Sequence, residues 1–215
     1  MTIEWTVEQD IGHVTLSVPP SNTMTMAFFT EMKALIPEIT HLQNLKGIII
    51  TGKGRHFSSG ADISELLLNA DETIMLDNYR VLSLLEQMEI PVVSAIRGVC
   101  LGSAFELTLF SHFRLCSEDA VIGLPESTFN LMPGLGGTQR VAALTGKARA
   151  IEIILRGQTF PAADALEMGL VDAVVPKNEV LPFAVSFIQS LPDGFRKADR
   201  NVLLYKYLKP FNVNG

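Results

Sequence analysis

Two short apolar runs, each bounded by turn-forming residues, most constrain the fold of this chain. Residues 47–51 read GIIIT and are stopped by Gly52, and residues 91–96 read PVVSAI. Continuous apolar runs of this length are typical of strands that are covered on both faces. Segments with helical spacing follow both runs, so a strand–helix order repeats along the chain. This order predicts an α/β fold with parallel strands and right-handed crossovers.

The other elements are predicted from the same two periodicities. Further strands are expected at 2–8, 12–18, 113–117, 120–122 and 171–175, and helices at 25–44, 73–88, 103–111, 161–169 and from after Gly137 to about 156. The segment NVLLYKYLKPFNVNG, residues 201–215, is expected to form a last amphipathic helix and a polar tail. No linker splits the chain, so we expect a core over residues 1–190 and a short C-terminal helical segment over 191–215.

Composition and charge exclude several classes of protein. Hydrophobic residues make up 47% of the 215 residues and charged residues 19%, which is typical of a globular domain. The net charge of −6 argues against general nucleic-acid binding, which needs a basic face. The start, MTIEWTVEQD, lacks the apolar region of a secretory signal, and no run reaches the roughly 18 apolar residues of a membrane helix. We therefore expect a cytoplasmic protein with no membrane or nucleic-acid partner.

The two cysteines do not indicate a disulfide framework or a metal site. Cys100 and Cys116 both lie in apolar runs and lack C-x-x-C spacing. We expect two reduced thiols in the core and no metal.

A single charge, Glu106, stands in the apolar run VCLGSAFELTLF at residues 99–110. It lies about one turn into a predicted helix that starts near Gly102 and Ser103, so its side chain projects towards the start of that helix. A lone carboxylate is costly to bury, so Glu106 is either a solvent-facing helix residue or a functional acid.

Small residues stand at two predicted strand-to-helix turns. Gly60 and Ala61 precede one helix, and Gly102 and Ser103 open another. Bare backbone N–H groups at such turns favour negative charge, and two of them together form an oxyanion hole. Tight helix–sheet packing explains the same glycines. Asp62, with a glutamate three residues on, is interpreted as a helix N-cap.

A second isolated carboxylate lies 20 residues after the first. Glu126 follows Pro125 in IGLPESTFNLMPGLGGTQR, residues 122–140, where a strand gives way to an irregular turn. It is either a first-turn helix glutamate or half of a carboxylate pair. Paired carboxylates whose environments separate their pKa values are a common means of acid–base catalysis.

Four motifs in order resemble the crotonase, or enoyl-CoA hydratase/isomerase, superfamily over nearly the whole chain. They are HFSSGADI (56–63), PVVSAIRGVCLGSAFELTL (91–109), IGLPESTFNLMPGLGGTQR (122–140) and FPAADALEMGLVDAVVP (160–176). The resemblance implies a crotonase-like ββα spiral fold, here with a shortened C-terminal helical region. It also implies an acyl-CoA substrate, with coenzyme A as part of the substrate and no separate cofactor.

The resemblance assigns roles to specific residues. The backbone N–H groups of Ala61 and Ser103 would hold the thioester oxygen, and Glu106 and Glu126 would be the catalytic pair of a hydratase. Glu126 is expected to be the main proton donor and acceptor, and Glu106 to position and polarise the water. A close pair of like charges should raise one pKa, leaving one proton shared near neutral pH.

The substrate-binding residues are implied by the same motifs. Arg55 is the better candidate for the CoA phosphates and Lys53 the weaker one, with solvated loop charge as the alternative for both. The rest of the expected substrate site comprises Ser59, Gly60, Ala61, Asp62, Ile63 and Gly102. The family also implies a homotrimer or a hexamer built as a dimer of trimers.

Several departures from the family pattern keep further functions open. Ser103 replaces a usual glycine, Asn130 replaces another, and His112 stands where aspartate is common, so we assign His112 no catalytic role. Besides a hydratase, the chain could be an enoyl-CoA isomerase, an acyl-CoA hydrolase, or a CoA-binding subunit without catalysis.

Overall fold

The computed structural model describes residues 1–42, 44–68, 71–195, 197–203 and 208. Its strands are β1 Ile3–Glu8, β2 Ile11–Leu16, β3 Gly47–Gly52, β4 Val92–Ile96, β5 Val99–Leu101, β6 Phe113–Ser117, β7 Val121–Gly123, β8 Thr159–Pro161 and β9 Ala173–Val175. Its helices are α1 Met26–His41, α2 Ile63–Leu68, α3 Glu72–Glu86, α4 Ser103–Thr108, α5 Gly137–Thr145, α6 Lys147–Arg156, α7 Ala162–Glu167, α8 Val180–Ser190 and α9 Arg200–Leu203. The predicted α/β class is confirmed.

The main sheet has the strand order β1-β2-β3-β4-β6-β9. The hairpin β1–β2 is antiparallel, and every other neighbouring pair in this sheet is parallel. Gln9 and Asp10 make the two-residue turn of the hairpin with positive φ angles of 51° and 62°. The predicted parallel strands therefore form this sheet.

The apolar run of β3 is covered on both faces, as its sequence predicts. Ile48 and Ile50 pack into the larger of two hydrophobic clusters, which also takes in α1 and α3. Ile49 points the other way, into a cluster built with α8. Because side chains alternate across a strand, a two-faced core needs an apolar residue at every position. The sheet is thus a rigid central layer from which the functional loops start.

A second, three-stranded sheet, β5-β7-β8, lies beside the main one. β5 pairs in parallel with β7, and β7 pairs antiparallel with β8. The three-residue strands β5 and β8 were not predicted, whereas the equally short β7 and β9 were. This small sheet holds the segment after β4 against the segment that carries Glu126.

Two helix predictions are corrected by the structure. The helix expected up to residue 156 is two helices, α5 and α6, because Gly146 takes φ = +81° between them. The helix expected at 103–111 ends as α4 at Thr108. α9 lies at the start of the segment predicted to form the C-terminal helix, and most of that segment lies outside the described residues. The boundary at residue 190 stays a prediction.

Candidate functional site

Glu106 is buried at the first turn of α4, with 1% of its surface exposed. Its Oε1 accepts hydrogen bonds from the backbone N–H groups of Leu135 and Gly137, both at 2.8 Å. Gly137 is the first residue of α5, so the carboxylate lies at a helix N-terminus, where negative charge is favoured. The alternative of a solvent-facing helix glutamate is therefore wrong.

The fit around Glu106 requires glycine at position 137. A β-carbon built on Gly137 would lie 2.8 Å from Oε1 and 3.0 Å from Cγ of Glu106. The preceding Gly136 has φ = +90°, which turns the chain into α5. Neither Leu135 nor Gly137 was predicted as a partner of Glu106. The run PGLGG before a helix was the available signal.

Glu126 begins a 3₁₀ turn, Glu126–Phe129, directly after Pro125. Asn130 ends this turn in the left-handed conformation with φ = +58°, which asparagine tolerates better than most residues. The Glu126 carboxylate lies over Gly102, on which a β-carbon would come within 3.2 Å of Oε1. The turn therefore aims the second glutamate at the start of α4, the helix that carries the first.

Three carboxylate oxygens of this pair are buried and have no hydrogen-bond donor among the residues that the structure describes. They are Oε2 of Glu106 and both carboxylate oxygens of Glu126. Burial of unpaired polar atoms is costly, so such atoms are candidates for binding a substrate or a water. Glu126 lines the cavity described below, whereas Glu106 does not.

Both glutamates have a raised pKa. Burial raises the pKa of Glu106 to about 7, the nearby charge of Glu126 adds to this rise, and the backbone N–H groups oppose it. Burial likewise raises the pKa of Glu126 to about 7. Near neutral pH each group can therefore hold or release a proton, as acid–base catalysis requires.

Two backbone N–H groups meet near this pair. Ser58 exchanges backbone hydrogen bonds with Val99 and Leu101, which brings the turn after β3 against the turn after β5. A β-carbon on Gly60, where φ is +96°, would lie 2.6 Å from the Leu101 carbonyl oxygen. Glycine at position 60 therefore permits the close approach.

The two N–H groups are those of Ala61 and Ser103, and within the described ranges neither donates a hydrogen bond to the protein. Ser103 is the first residue of α4, where a backbone N–H has no partner within the helix. Both residues line one cavity together with Glu126. The arrangement can bind a developing negative charge beside an acid–base group.

The cavity has a volume of about 80 Å³ and is mainly apolar. Its apolar walls include Met24, Phe29, Ile74, Met75, Leu131 and Leu135. Apolar walls with a few convergent polar groups are typical of small-molecule sites.

Asp62 caps α2, as predicted. Its Oδ1 accepts from the backbone N–H groups of Ser64 at 2.9 Å and Glu65 at 3.2 Å, and from the Ser64 hydroxyl. The hydrogen bond from the Ser64 side chain is the main reason that the pKa of Asp62 is lowered. The Glu65 carboxylate in α2 accepts a hydrogen bond of 2.7 Å from Met26 N at the start of α1. It therefore links two helices that flank the cavity.

The predicted CoA-binding residues lie at the edge of this arrangement. Lys53 forms an ion pair with Glu4, with Nζ 2.6 Å from Oε1. Arg55 is exposed and has no acidic partner among the described residues. Ser59 is exposed and donates to the Ser21 hydroxyl, and Ile63 is 38% exposed. Of the predicted substrate residues, Ala61 and Asp62 line the cavity, whereas Arg55, Ser59, Gly60, Ile63 and Gly102 do not.

Asn22 supports the segment before the Gly60 turn and was not predicted as part of the site. It is 2% exposed, and its Nδ2 donates to the carbonyl groups of Lys53, His56 and Phe57. Its Oδ1 accepts from Val18 N. One side chain thus links the segment before the Gly60 turn to the segment that follows β2.

The remaining polar candidates are structural. His112 is buried, and its Nδ1 accepts from Val92 N at 3.0 Å. Cys100 and Cys116 are free, buried thiols, as predicted, and burial raises the pKa of both. No cluster of metal-binding side chains occurs in the described ranges.

None of the helices in the described residues is long and apolar enough to cross a membrane.

Known proteins match the chain over most of its length, and solved structures among them confirm the crotonase-like fold expected from the sequence. The family model for enoyl-CoA hydratase/isomerase matches residues 6–203. The chain is 39% identical over 189 residues to the fatty acid oxidation complex subunit alpha of Shewanella amazonensis; the match covers 83% of this chain and 26% of that protein. The chain therefore spans about a quarter of the length of this curated relative.

Solved structures are similar as well. An enoyl-CoA hydratase from Bacillus anthracis superposes with a TM-score of 0.82 at 31% identity, over 88% of this chain and 76% of the other. A protein of Thermobifida fusca, solved in complex with CoA, superposes with a TM-score of 0.81 at 28% identity, over 95% and 85% of the two chains.

Proposed function

Because the chain belongs to the enoyl-CoA hydratase/isomerase family, an enzyme family, we propose that it is a hydratase. Its reaction would be the addition of water to a 2-enoyl-CoA thioester, which makes it a lyase. The CoA bound to the Thermobifida fusca relative supports a CoA thioester as substrate, and the name of the Shewanella relative supports an acyl group from fatty acid oxidation.

The thioester carbonyl oxygen would lie between the N–H groups of Ala61 and Ser103. Addition of water to C3 moves electrons onto this oxygen and gives it enolate character. The two N–H donors stabilise that charge in a cavity with apolar walls, where electrostatic interactions are stronger than in water. Since the donor is a backbone group, a serine at position 103 serves as well as a glycine.

The two glutamates would bind the water between them and transfer its proton. Glu126, in its neutral form, supplies the proton that C2 takes up and recovers a proton from the attacking water. Glu106 is fixed through Oε1 by two backbone N–H groups, so its Oε2 can accept from the water and hold it towards C3. The net change is one water added across the C2–C3 double bond.

One observation carries the proposal: the buried Glu106 and the half-buried Glu126 have three carboxylate oxygens without a partner among the described residues, close to two free N–H groups. An isomerase needs a single carboxylate to move a proton between two carbons. Two carboxylates with a pKa of about 7 therefore favour hydration.

The test is loss of enoyl-thioester absorbance with crotonyl-CoA for the wild type, Glu106→Ala and Glu126→Ala, with the exposed Glu167→Gln as control. We expect both alanine variants to lose at least a hundredfold in kcat, as removal of general acid–base groups does, and the control to keep wild-type turnover. Retained turnover in Glu106→Ala would contradict the two-glutamate mechanism and favour an isomerase, which 3-enoyl-CoA substrates would reveal.

A wild type that binds CoA and turns over no enoyl-CoA would instead favour a hydrolase or a subunit without catalysis. Release of free thiol from acyl-CoA would identify a hydrolase. Binding with neither hydration, isomerisation nor hydrolysis would identify a subunit without catalysis.

The remaining expectations are part of the same proposal. CoA belongs to the substrate, the location is cytoplasmic, and the assembly is a homotrimer or hexamer. Arg55 would contact the CoA phosphates. Arg55→Ala should then raise the Kd for CoA several-fold, whereas Lys53→Ala should change it little because Lys53 is already paired with Glu4.

A further inference from the structure

A single methionine separates the catalytic cavity from a second cavity. Met75 of α3 and Gly134 line both of them. Met75 Cε occupies the space above Gly134 so closely that a β-carbon at position 134 would overlap with it. The two residues thus form a partition made of one flexible side chain seated on a residue without a side chain.

The second cavity is wider and more open, with a volume of about 580 Å³. Leu76, Tyr79 and Ala143 make its surface mainly apolar, and Leu76 is 48% exposed. The polar side chains of Glu72 and Gln139 also line it.

The cation at the border of this second cavity is already neutralised. Arg140 pairs with Glu86 at 2.6 Å and lies over the Phe110 ring, 3.8 Å from its centroid. Tyr79 packs edge-on against the same ring at 5.5 Å. Arg140 is therefore committed to these contacts, and the surface that it shares with Tyr79 suits an uncharged ligand rather than an anion.

We infer that Met75 is a gate that sets acyl-chain length, and that the substrate class includes acyl groups long enough to pass it. This inference rests on the proposed function. The reacting end of the acyl group occupies the inner cavity, and its distal methylenes displace Met75 from Gly134 and enter the outer cavity. The occupant of the outer cavity is the tail of the same thioester, because the two spaces share this one partition.

Methionine suits a gate for physical reasons. Its unbranched side chain has three rotatable bonds and adapts to irregular spaces, so it can leave its seat at little cost. Each methylene moved from water into an apolar environment strengthens binding about fourfold. Two buried methylenes therefore give more than a tenfold gain in affinity.

The test is calorimetric binding of butyryl-CoA and decanoyl-CoA, two saturated thioesters that cannot be hydrated. The wild type, Met75→Ala and Met75→Phe are compared with Met132→Ala, which changes the same residue type on the inner wall away from the partition. The quantity compared is the ratio of the two Kd values within each protein.

We expect the wild type to bind decanoyl-CoA at least tenfold more tightly than butyryl-CoA. Met75→Phe, with a stiff ring in the partition, should reduce this ratio to about twofold or less. Met75→Ala should increase it at least threefold, and Met132→Ala should leave it within about twofold of the wild type. A wild-type ratio near one, an unchanged ratio in a folded Met75→Phe, or a reduced ratio in Met75→Ala would overturn the inference.

The outcomes also separate this inference from the proposed function. If the protein hydrates crotonyl-CoA but its Kd ratio is near one, the hydratase proposal is supported and the role of Met75 as a gate is contradicted. If the Kd ratios are as expected but the protein hydrates neither crotonyl-CoA nor 2-decenoyl-CoA, the role of Met75 is supported and the hydratase proposal is contradicted.

Discussion

Replacing Glu106 with glutamine should make the stability of the protein less dependent on pH. Burial raises the pKa of Glu106 from 4.5 to about 7, so the folded state favours the protonated carboxyl. The stability that this group contributes is complete below about pH 4.5 and is lost as the pH rises through about 7. At 1.36 kcal/mol per pKa unit, the loss approaches about 3 kcal/mol at alkaline pH.

Glutamine carries no charge at any of these pH values and keeps a carbonyl oxygen to accept from Leu135 N and Gly137 N. Urea unfolding should be followed at intervals from pH 5 to pH 9 for the wild type and Glu106→Gln. As the pH rises, the free energy of unfolding should fall for the wild type and not for Glu106→Gln. The difference between the two proteins should reach about 3 kcal/mol at pH 9.

The matched control is Glu167→Gln, which makes the same change at an exposed position. Its difference from the wild type should stay within about 0.5 kcal/mol at every pH. If the difference between Glu106→Gln and the wild type were the same at pH 5 and pH 9, Glu106 would not carry a raised pKa, and the acid–base assignment would lose its physical basis.

Three further substitutions test the backbone that surrounds the site. Gly137→Ala would place a methyl group 2.8 Å from Glu106 Oε1, so crotonyl-CoA assays should give a kcat at least tenfold lower, and a wild-type kcat would contradict the fixed carboxylate. Ser103→Pro removes one N–H at a first helical position that tolerates proline, so kcat should fall about 10²–10³-fold while Ser103→Ala, which keeps the N–H, loses less than tenfold. Asn22→Ala leaves three carbonyl groups without their donor, and urea unfolding should show a loss of about 2–3 kcal/mol, against less than about 0.5 kcal/mol for Ser21→Ala.

Local sequence patterns predicted the layers of this fold because the spacing of apolar residues indicates which faces of a strand or helix are covered. The run GIIIT needs an apolar neighbour on both faces, and Ile48 and Ile49 do pack into two different clusters. Three residues do not define a period, and the short strands Val99–Leu101 and Thr159–Pro161 escaped prediction, as did the longer helix Val180–Ser190. The break at Gly146 escaped because the apolar spacing continues across it.

The candidate site was predicted in its residues and not in its contacts. The isolated position of Glu106 and Glu126 in apolar segments marked both as unusual, and small residues marked the turns at Ala61 and Ser103. No sequence pattern shows that Leu135 N and Gly137 N hold Glu106, because these residues lie 29 and 31 positions away and meet it only after α5 has packed.

The sequence by itself therefore determined which groups the protein can use: two carboxylates, two bare N–H groups and an α/β frame to carry them. The tertiary structure decided the pKa values of those groups and which of them lie together. Burial raises the pKa of both carboxylates to about 7, and the backbone bonds of Ser58 bring the two N–H groups to one cavity. It also decided that Met75 lies on Gly134. Charge, pKa and access depend on which atoms surround a group, and those neighbours are distant in sequence.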